Sequence, residues 1–379
     1  MKDRKKKAPL KEDTQPIKYY SLTEILKRNA HYNVIFGERS NGKTYAVLLY
    51  ALKKFVDTGE QFAYVRRFEE DIRGSRGDSI FDALNVNREV ERLTNGKYTF
   101  IRHKNRVFYL GYHDDTLDKD ILDTRPFAYS FSVNIASRYK STSYPGITTI
   151  CYDEFLERSF YLPNEFADFM SIISTIVRTR DNVKIFMLGN TVNKTCPYFV
   201  EMGLSHIKDM QQGAIDVYQY GKSKLRVAVE YAANLNKDKP SNVYFAFDNP
   251  RLQMITGGVW EMARYPHLPI KYTPNQIILT YFIVFDDNIL QCEIVDTGDS
   301  TFTYIHRKTT PIQDLDNDII YSLEYDQRPN HVRRLSKPVT KWQRMIAEYF
   351  VVDKVFYQDN EIGEIVRNYI ITSANDKIR

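Results

Sequence analysis

Apolar residues along the chain fall into short runs of two different periods. The continuous runs Val34-Ile35-Phe36, Phe62-Ala63-Tyr64-Val65, Ile147-Thr148-Thr149-Ile150-Cys151-Tyr152 and Val183-Lys184-Ile185-Phe186-Met187-Leu188 have the length and the β-branched or aromatic content of buried strands. Helix-like stretches separate them, over residues 44–50, 79–94 and 162–177. Strands alternating with helices in this way predict an α/β unit built on a mainly parallel, doubly wound sheet. Residues 98–101 and 107–110 predict a hairpin whose tip is Arg102-His103-Lys104-Asn105-Arg106, and 127–132 adds a short strand. Residues 69–78, mixing acids and bases around Gly74 and Gly77, predict a flexible loop. Residues 1–16 are charged and Pro-containing, which predicts a mobile basic arm before a domain over 17–198. Beyond 198 the pattern loosens, and 199–245, with its polar run 234–242, predicts a small connecting domain. In 246–379 three β runs follow one another at 276–285, 289–295 and 301–306, and helical segments near 340–350 and 360–371 close the chain.

The first strand leads directly into chemistry. It runs into Gly37-Glu38-Arg39-Ser40-Asn41-Gly42-Lys43-Thr44, the spacing G-x-x-x-x-G-K-T, and then into a helix. Gly37 and Gly42 permit backbone angles that turn successive N–H groups inward, and the helix N-terminus adds partial positive charge, so the loop is suited to phosphate. Lys43 then reaches the β- and γ-phosphates, and the Thr44 hydroxyl ligates Mg²⁺. Downstream, the run 147–152 ends in Asp153-Glu154, which a buried parallel strand delivers to the same end of the sheet. There Asp153 holds the hydration shell of Mg²⁺, and Glu154 orients and deprotonates an attacking water.

Composition narrows the setting. At 379 residues the chain can hold two domains without metal or disulfide staples. Cys151, Cys196 and Cys292 are odd in number and far apart, which fits a reducing cytoplasm. No stretch has the length of a membrane helix, and the basic opening has no apolar segment behind it, so neither a membrane partner nor a signal peptide is expected. The net charge of +5 is modest, but its cations cluster, which points to a polyanion contacted locally.

The order of the motifs resembles a known family. Gly37 to Thr44, then Arg138-Tyr139-Lys140-Ser141, then Ile150-Cys151-Tyr152-Asp153-Glu154-Phe155, then Arg178-Thr179-Arg180, then Met187-Leu188-Gly189-Asn190-Thr191 is similar to the motor domain of viral genome-packaging ATPases. Within that group it resembles most the small protein-primed tailed phages, the Picovirinae type, over about residues 17–200. The resemblance implies an additional-strand (ASCE-type) P-loop NTPase domain that takes ATP and Mg²⁺. It further implies a homo-oligomeric ring, pentameric in the family, that docks on the portal of an empty prohead and drives double-stranded DNA through its pore. The ring would work in the host cytoplasm, transiently at the portal, and be absent from the mature virion. Whether a structural RNA sits between ring and portal stays open. By this resemblance Lys43 and Thr44 are the Walker A pair, Asp153 and Glu154 the Walker B pair, and Asn190-Thr191 the coupling motif. Arg178 or Arg180 is the arginine that completes a neighbour's site, expected at the phosphate-side edge of the sheet. Charge on the equatorial oxygens of the transition state makes such an arginine valuable in any ring enzyme.

For DNA contact three clusters stand out: Arg66, Arg67, Arg73 and Arg76; the hairpin tip Arg102, Lys104 and Arg106; and Arg333, Arg334 and Lys337, with Lys341 and Arg344 around Trp342. Phosphate attraction needs cations without base-reading geometry, though each cluster also fits an ordinary solvated face. In large terminases, the related enzymes, the second domain is an RNase H-like nuclease with clustered carboxylates and two metals. Here the first β run ends in Phe285-Asp286-Asp287-Asn288, where that fold places its first ligand, but no glycine follows the acid and Glu361-Ile362-Gly363-Glu364 has no paired Asp. The expectation is a C-terminal α+β RNase H-like domain, a vestigial nuclease kept for binding. A terminase with an active nuclease, a nucleotide-switched adaptor and a helicase are the alternatives.

Overall fold

The computed structural model describes residues 18–158, 161–191, 193–194, 196–233, 263–268 and 270–375; the expected arm over 1–16, the polar run 234–242 and the junction near 245 lie outside them. Ten strands make one sheet: β1 Tyr32–Gly37, β2 Gln61–Arg66, β3 Phe100–Lys104, β4 Val107–Asp114, β5 Lys119–Leu122, β6 Ala128–Ser132, β7 Ile147–Asp153, β8 Lys184–Asn190, β9 Ile215–Gln219 and β10 Arg226–Tyr231. The helices around it are α1 Thr23–Leu26, α2 Lys43–Thr58, α3 Gly74–Ser79, α4 Asp82–Val86, α5 Glu89–Leu93, α6 Glu165–Val177 and α7 Pro197–Glu201.

The strand order is β3-β4-β6-β2-β7-β8-β1-β10-β9, with β5 on β4. From β6 to β10 every neighbouring pair is parallel; antiparallel pairing is confined to the two flanks. Alternation along the strands sorts their side chains onto two faces. Ile35, Tyr64, Cys151 and Phe186 pack with Val47, Leu48, Leu52 and Phe55 of α2. Val34, Val65, Ile150, Tyr152 and Met187 pack with Phe169, Ile172 and Ile176 of α6. The left-handed Gly59, φ 77°, ends α2, as a glycine without a Cβ does most easily.

Three local expectations change. The connecting domain expected from 199 is instead part of the first sheet as far as Tyr231, because β10 lies parallel against β1 with Tyr32 opposite Val227. Its short apolar run is flanked by polar turns, which hid it. The loop expected over 69–78 contains a 3-10 turn at Glu69–Ile72 and then α3, anchored by the fully buried Ile72. The helix expected over 79–94 splits into α4 and α5 at the left-handed Arg88, φ 55°.

The second sheet comprises β11 Ile277–Phe285, β12 Asn288–Asp296, β13 Thr301–Arg307, β14 Ile319–Ser322, β15 His331–Val332 and β16 Val355–Tyr357, in the order β15-β14-β11-β12-β13-β16. The three expected β runs are β11 to β13, an antiparallel meander, and β14 and β15 then add in parallel beyond β11. Tyr281, Ile283, Cys292 and Ile305 pack beneath helices α8 Lys341–Val351 and α9 Asn360–Asn375, which contribute Ile346, Ile362, Val366 and Tyr369. Cys151, Cys196 and Cys292 are buried free thiols. Among the described residues no helix is long and apolar enough to cross a membrane.

Helix α9 also joins the two halves. Asn193 Nδ2 donates to Asn368 Oδ1 at 2.9 Å, and Asn368 Nδ2 donates back to Asn193 Oδ1 at 3.3 Å, with both residues buried. Arg367 donates to the Arg158 carbonyl at 3.1 Å, and Arg158 lies 3.6 Å from Glu364. Removing one amide of a reciprocal buried pair leaves the other unsatisfied, whereas replacing both can be nearly neutral. We predict that Asn368→Leu lowers stability by about 1–3 kcal/mol and that Asn193→Leu/Asn368→Leu recovers most of the loss. Denaturant unfolding checks this; equal stability of all three proteins would contradict it.

Candidate nucleotide site

Strands β1, β8 and β7 end side by side: Gly37 lies opposite Asn190, and Asp153 opposite Leu188. Beyond these ends is a cavity of about 420 Å³ lined by Arg39, Ser40, Asn41, Gly42, Lys43, Thr44, Tyr45, Asp153, Glu154, Leu188, Gly189 and Asn190. The P-loop turns through left-handed Ser40, φ 60°, and Gly42, φ 92°, before α2 begins. A Cβ on Gly37 would stand 3.1 Å from the Ala232 carbonyl oxygen, so the strand-to-loop turn is closely backed by the chain after β10.

Lys43 is buried and its ammonium donates to the Glu38 carbonyl at 2.5 Å and to Asn41 Oδ1 at 3.2 Å. Burial pushes its amine down to about 8, against the opposing pull of Asp153 and Glu38. Those two acceptors are oxygens of the kind a phosphate offers, so the ammonium is poised for exchange onto a polyphosphate. Burial also raises the Glu38 carboxyl. Thr44 Oγ1 donates to Asp153 Oδ1 at 3.2 Å, placing a hydroxyl and a carboxylate together as the hard oxygen donors that Mg²⁺ takes. The other Asp153 oxygen accepts from the buried Tyr64 hydroxyl at 2.8 Å, which fixes the carboxylate's orientation. Burial, reinforced by Asp153, raises the Tyr64 phenol well above its usual range and keeps it a donor.

Glu154 follows in a left-handed conformation, φ 56°, and its exposed carboxylate is gripped by Arg66 at 2.5 Å. Sequence reasoning placed Arg66 in a DNA-facing cluster; in the structure its head group sits on the Glu154 carboxylate instead. The sequence reading gave no site role to Tyr64 or to the pocket residues Tyr45, Leu188 and Gly189, and gave Arg66 a different one. The period of β2 carried the signal, since Tyr64 and Arg66 share a face.

The remaining predicted residues are spread more widely. Arg67 is buried and cannot face DNA: it donates to Glu165 at 2.8 Å and to the Phe155 carbonyl at 2.8 Å. Arg73 and Arg76 are exposed but paired with Glu69 and Asp71, and Arg106 also pairs with Glu69. Arg102 pairs with Asp120, and Lys104 is exposed at the hairpin tip. Arg333 and Arg334 are half-buried beside exposed Lys337. Arg178 and Arg180 precede β8, so they stand at the edge of the sheet opposite the P-loop, not at the phosphate side as expected. A seven-residue strand separates the edges by about 23 Å. Arg180 donates to four carbonyls, those of Pro145, Ile147, Tyr144 and Ile176. Arg178 is exposed, with one bond of 3.3 Å to the Thr142 carbonyl.

Comparison with known proteins bears on the family and the fold. Residues 15–238 match the family model of the podovirus DNA encapsidation protein (Gp16). The chain is 27% identical to the DNA packaging protein of Bacillus phage phi29 over 189 residues, 49% of this chain and 50% of that protein. It is 30% identical to the DNA packaging protein of Bacillus phage B103 over 175 residues, 45% and 48% of the two chains. The chain thus spans about half the length of the curated relatives it matches. In fold it is similar to the Phi-28 gp11 DNA packaging motor, with a TM-score of 0.53 at 17% identity over 95% of this chain and 99% of that one. It is likewise similar to the bacteriophage Phi-29 genome packaging motor assembly, with a TM-score of 0.52 at 19% identity over 92% and 96%. With the match spanning more than half of its length, the chain belongs to the podovirus DNA encapsidation protein (Gp16) family.

Proposed function

We propose that this protein is the ATPase of a phage DNA-packaging motor, hydrolysing ATP to drive double-stranded DNA through the portal into a preformed prohead. The observation that carries the reading is the convergence of Lys43, the Thr44–Asp153 pair, Glu154 and Asn190 around one cavity at the ends of three parallel strands. The P-loop amides and Lys43 bind and orient the polyphosphate. Thr44 and Asp153 would hold Mg²⁺, which supplies charge neutralisation at the β- and γ-oxygens. Glu154 takes the proton of the attacking water, and to do so its carboxylate leaves Arg66. Asn190, at the end of β8, is the side chain that senses the γ-phosphate.

The domain division that follows is a motor unit through Tyr231 and a C-terminal unit built on the second sheet. The order β13-β12-β11-β14-β15, three antiparallel strands continued by two parallel ones, supports an RNase H-like ancestry for the latter. Asp286, at the position of a first metal ligand, is engaged by Lys208 at 2.9 Å, which favours docking over nuclease chemistry. The protein acts as a homo-oligomeric ring, a pentamer, in the host cytoplasm and at the prohead portal, with a structural RNA as a candidate further partner.

Glu154→Gln is expected to bind ATP normally and to lose turnover, because the amide keeps the shape without accepting a proton. Lys43→Ala is expected to weaken triphosphate binding. Equilibrium nucleotide binding beside phosphate release reads both, and wild-type hydrolysis by Glu154→Gln removes its role.

Across a subunit interface Arg178 is the better candidate, since Arg180 is committed to its own backbone. Arg178→Ala should bind ATP and hydrolyse it on the order of 10³-fold more slowly. Mixed with Glu154→Gln protein it should regain hydrolysis, because some interfaces then pair an intact Glu154 with an intact Arg178. Absence of rescue in demonstrated mixed rings excludes it.

For the C-terminal unit, neutralising Arg333, Arg334 and Lys337 together should lower affinity for DNA or proheads and flatten its salt dependence, since fewer counterions are released. Divalent-dependent cleavage abolished by Asp286→Ala would show a nuclease instead.

A further inference from the structure

Behind the strand that carries Asp153 lies a buried ion pair with no part in the chemistry derived so far. Arg67 Nε donates to Glu165 Oε2 at 2.8 Å, and the two amino groups reach the carbonyls of Phe155 at 2.8 Å and Glu154 at 3.3 Å. Glu165, 2% exposed, also accepts from the hydroxyls of Tyr152 at 2.7 Å and Tyr198 at 2.9 Å and from the Leu162 amide at 2.8 Å. The guanidinium lies over the Tyr161 ring, 5.2 Å from its centroid. Each of the three guanidinium nitrogens therefore makes a hydrogen bond, a fork that a lysine's point charge could not reproduce.

The two carbonyls held by Arg67 belong to Glu154 and the residue after it. Glu154 has φ 56°, a conformation a non-glycine residue keeps only when its surroundings impose it. Its neighbours impose it from several sides: the Glu154 amide donates to Asp153 Oδ1 at 3.1 Å, the Phe155 amide donates to the Leu188 carbonyl at 3.1 Å, and Arg67 takes both following carbonyls. Arg67 and Glu165 lie on the α6 side of the sheet, whereas the P-loop leads into α2 on the other, so the grip on this turn is separable from the grip on phosphate.

We infer that Arg67 and Glu165 form a clamp that fixes the backbone turn at Glu154 and thereby aims its carboxylate at the attacking water. Both are positioning residues, and the inference rests on Glu154 being the base. When the clamp is loosened, the peptide after Glu154 can rotate and the carboxylate swings with it, while nucleotide still binds. Misplacement of a catalytic group by about 1 Å costs on the order of 10²-fold in rate.

The test uses the full chain, with ATP hydrolysis and equilibrium binding of a fluorescent ATP analogue measured on the same preparations. Arg67→Lys and Glu165→Gln should each keep the nucleotide dissociation constant while kcat falls by up to about 10²-fold. Arg67→Ala should fall at least as far and be partly restored by millimolar guanidinium, which a generally loosened fold would not be. Should Arg67→Ala fail to fold, Arg67→Lys and Glu165→Gln decide the matter. Wild-type kcat in either, or affinity and kcat falling together, overturns the clamp. Glu154→Gln separates the two claims: if it is dead while Arg67→Lys is unimpaired, the clamp alone is wrong, and if it hydrolyses ATP like the wild type, the base assignment falls and takes the clamp with it.

Discussion

Parallel pairing in register of β1, β8 and β7 is the constraint on which the site depends. Because Gly37 stands opposite Asn190, and Asp153 opposite Leu188, three strands from distant parts of the sequence end at one level. Parallel strands present their ends in the same direction, so whatever follows each end meets at one edge. The P-loop, the acid pair and Asn190 are those three continuations. Inserting β8 between β1 and β7 is what gives Asn190 a place between the phosphate loop and the acids. A one-residue slip of β7 would turn Asp153 away from Thr44 and break the bond between them.

The same period explains why two adjacent arginines have unrelated tasks. Tyr64 and Arg66 project from one face of β2, where they meet the carboxylates of Asp153 and Glu154. Val65 and Arg67 project from the other, where Arg67 meets Glu165 at the start of α6. The acid tip of β7 is thus held from both faces by its neighbour strand: the side chains from above, the backbone from below. Read as a string, Arg66-Arg67 is a basic patch; read with period two, it is two opposed supports.

Local signals explain what was legible beforehand. That Lys43, Thr44, Asp153, Glu154 and Asn190 meet around one cavity was readable because each sits at a strand end or a glycine turn, where the run of apolar residues stops abruptly. The alternation of strands and helices likewise gave the parallel sheet, and the spacing of β11 to β13 gave the meander. Features set by long-range pairing were not readable. β10 looks like part of a polar connector until β1 is seen beside it, and Arg180 looks like a free cation until the carbonyls of residues 144, 145, 147 and 176 are gathered around it. Cation clusters were the least reliable signal, because pairing with Glu69, Asp71 and Asp120 depends on how loops fold back.

The loops that leave the site also carry it to the second half of the molecule. Arg158 follows Glu154 by four positions and Asn193 follows Asn190 by three, and both meet helix α9, at Glu364, Arg367 and Asn368. The Asn193–Asn368 pair is buried and the contacts of Arg158 are half-buried, and breaking the pair would strand two amides away from water. Any shift of the backbone at Glu154 or Asn190 therefore has two outlets. Either the few residues between act as hinges, or α9 moves and carries with it the sheet it packs on. Arg67 bears on the first outlet close to the source, since it holds the carbonyls of residues 154 and 155 in the backbone that leads to Arg158. On the β8 side the Thr191 amide donates to the Gly37 carbonyl at 3.3 Å, tying the residue after Asn190 to the start of the P-loop.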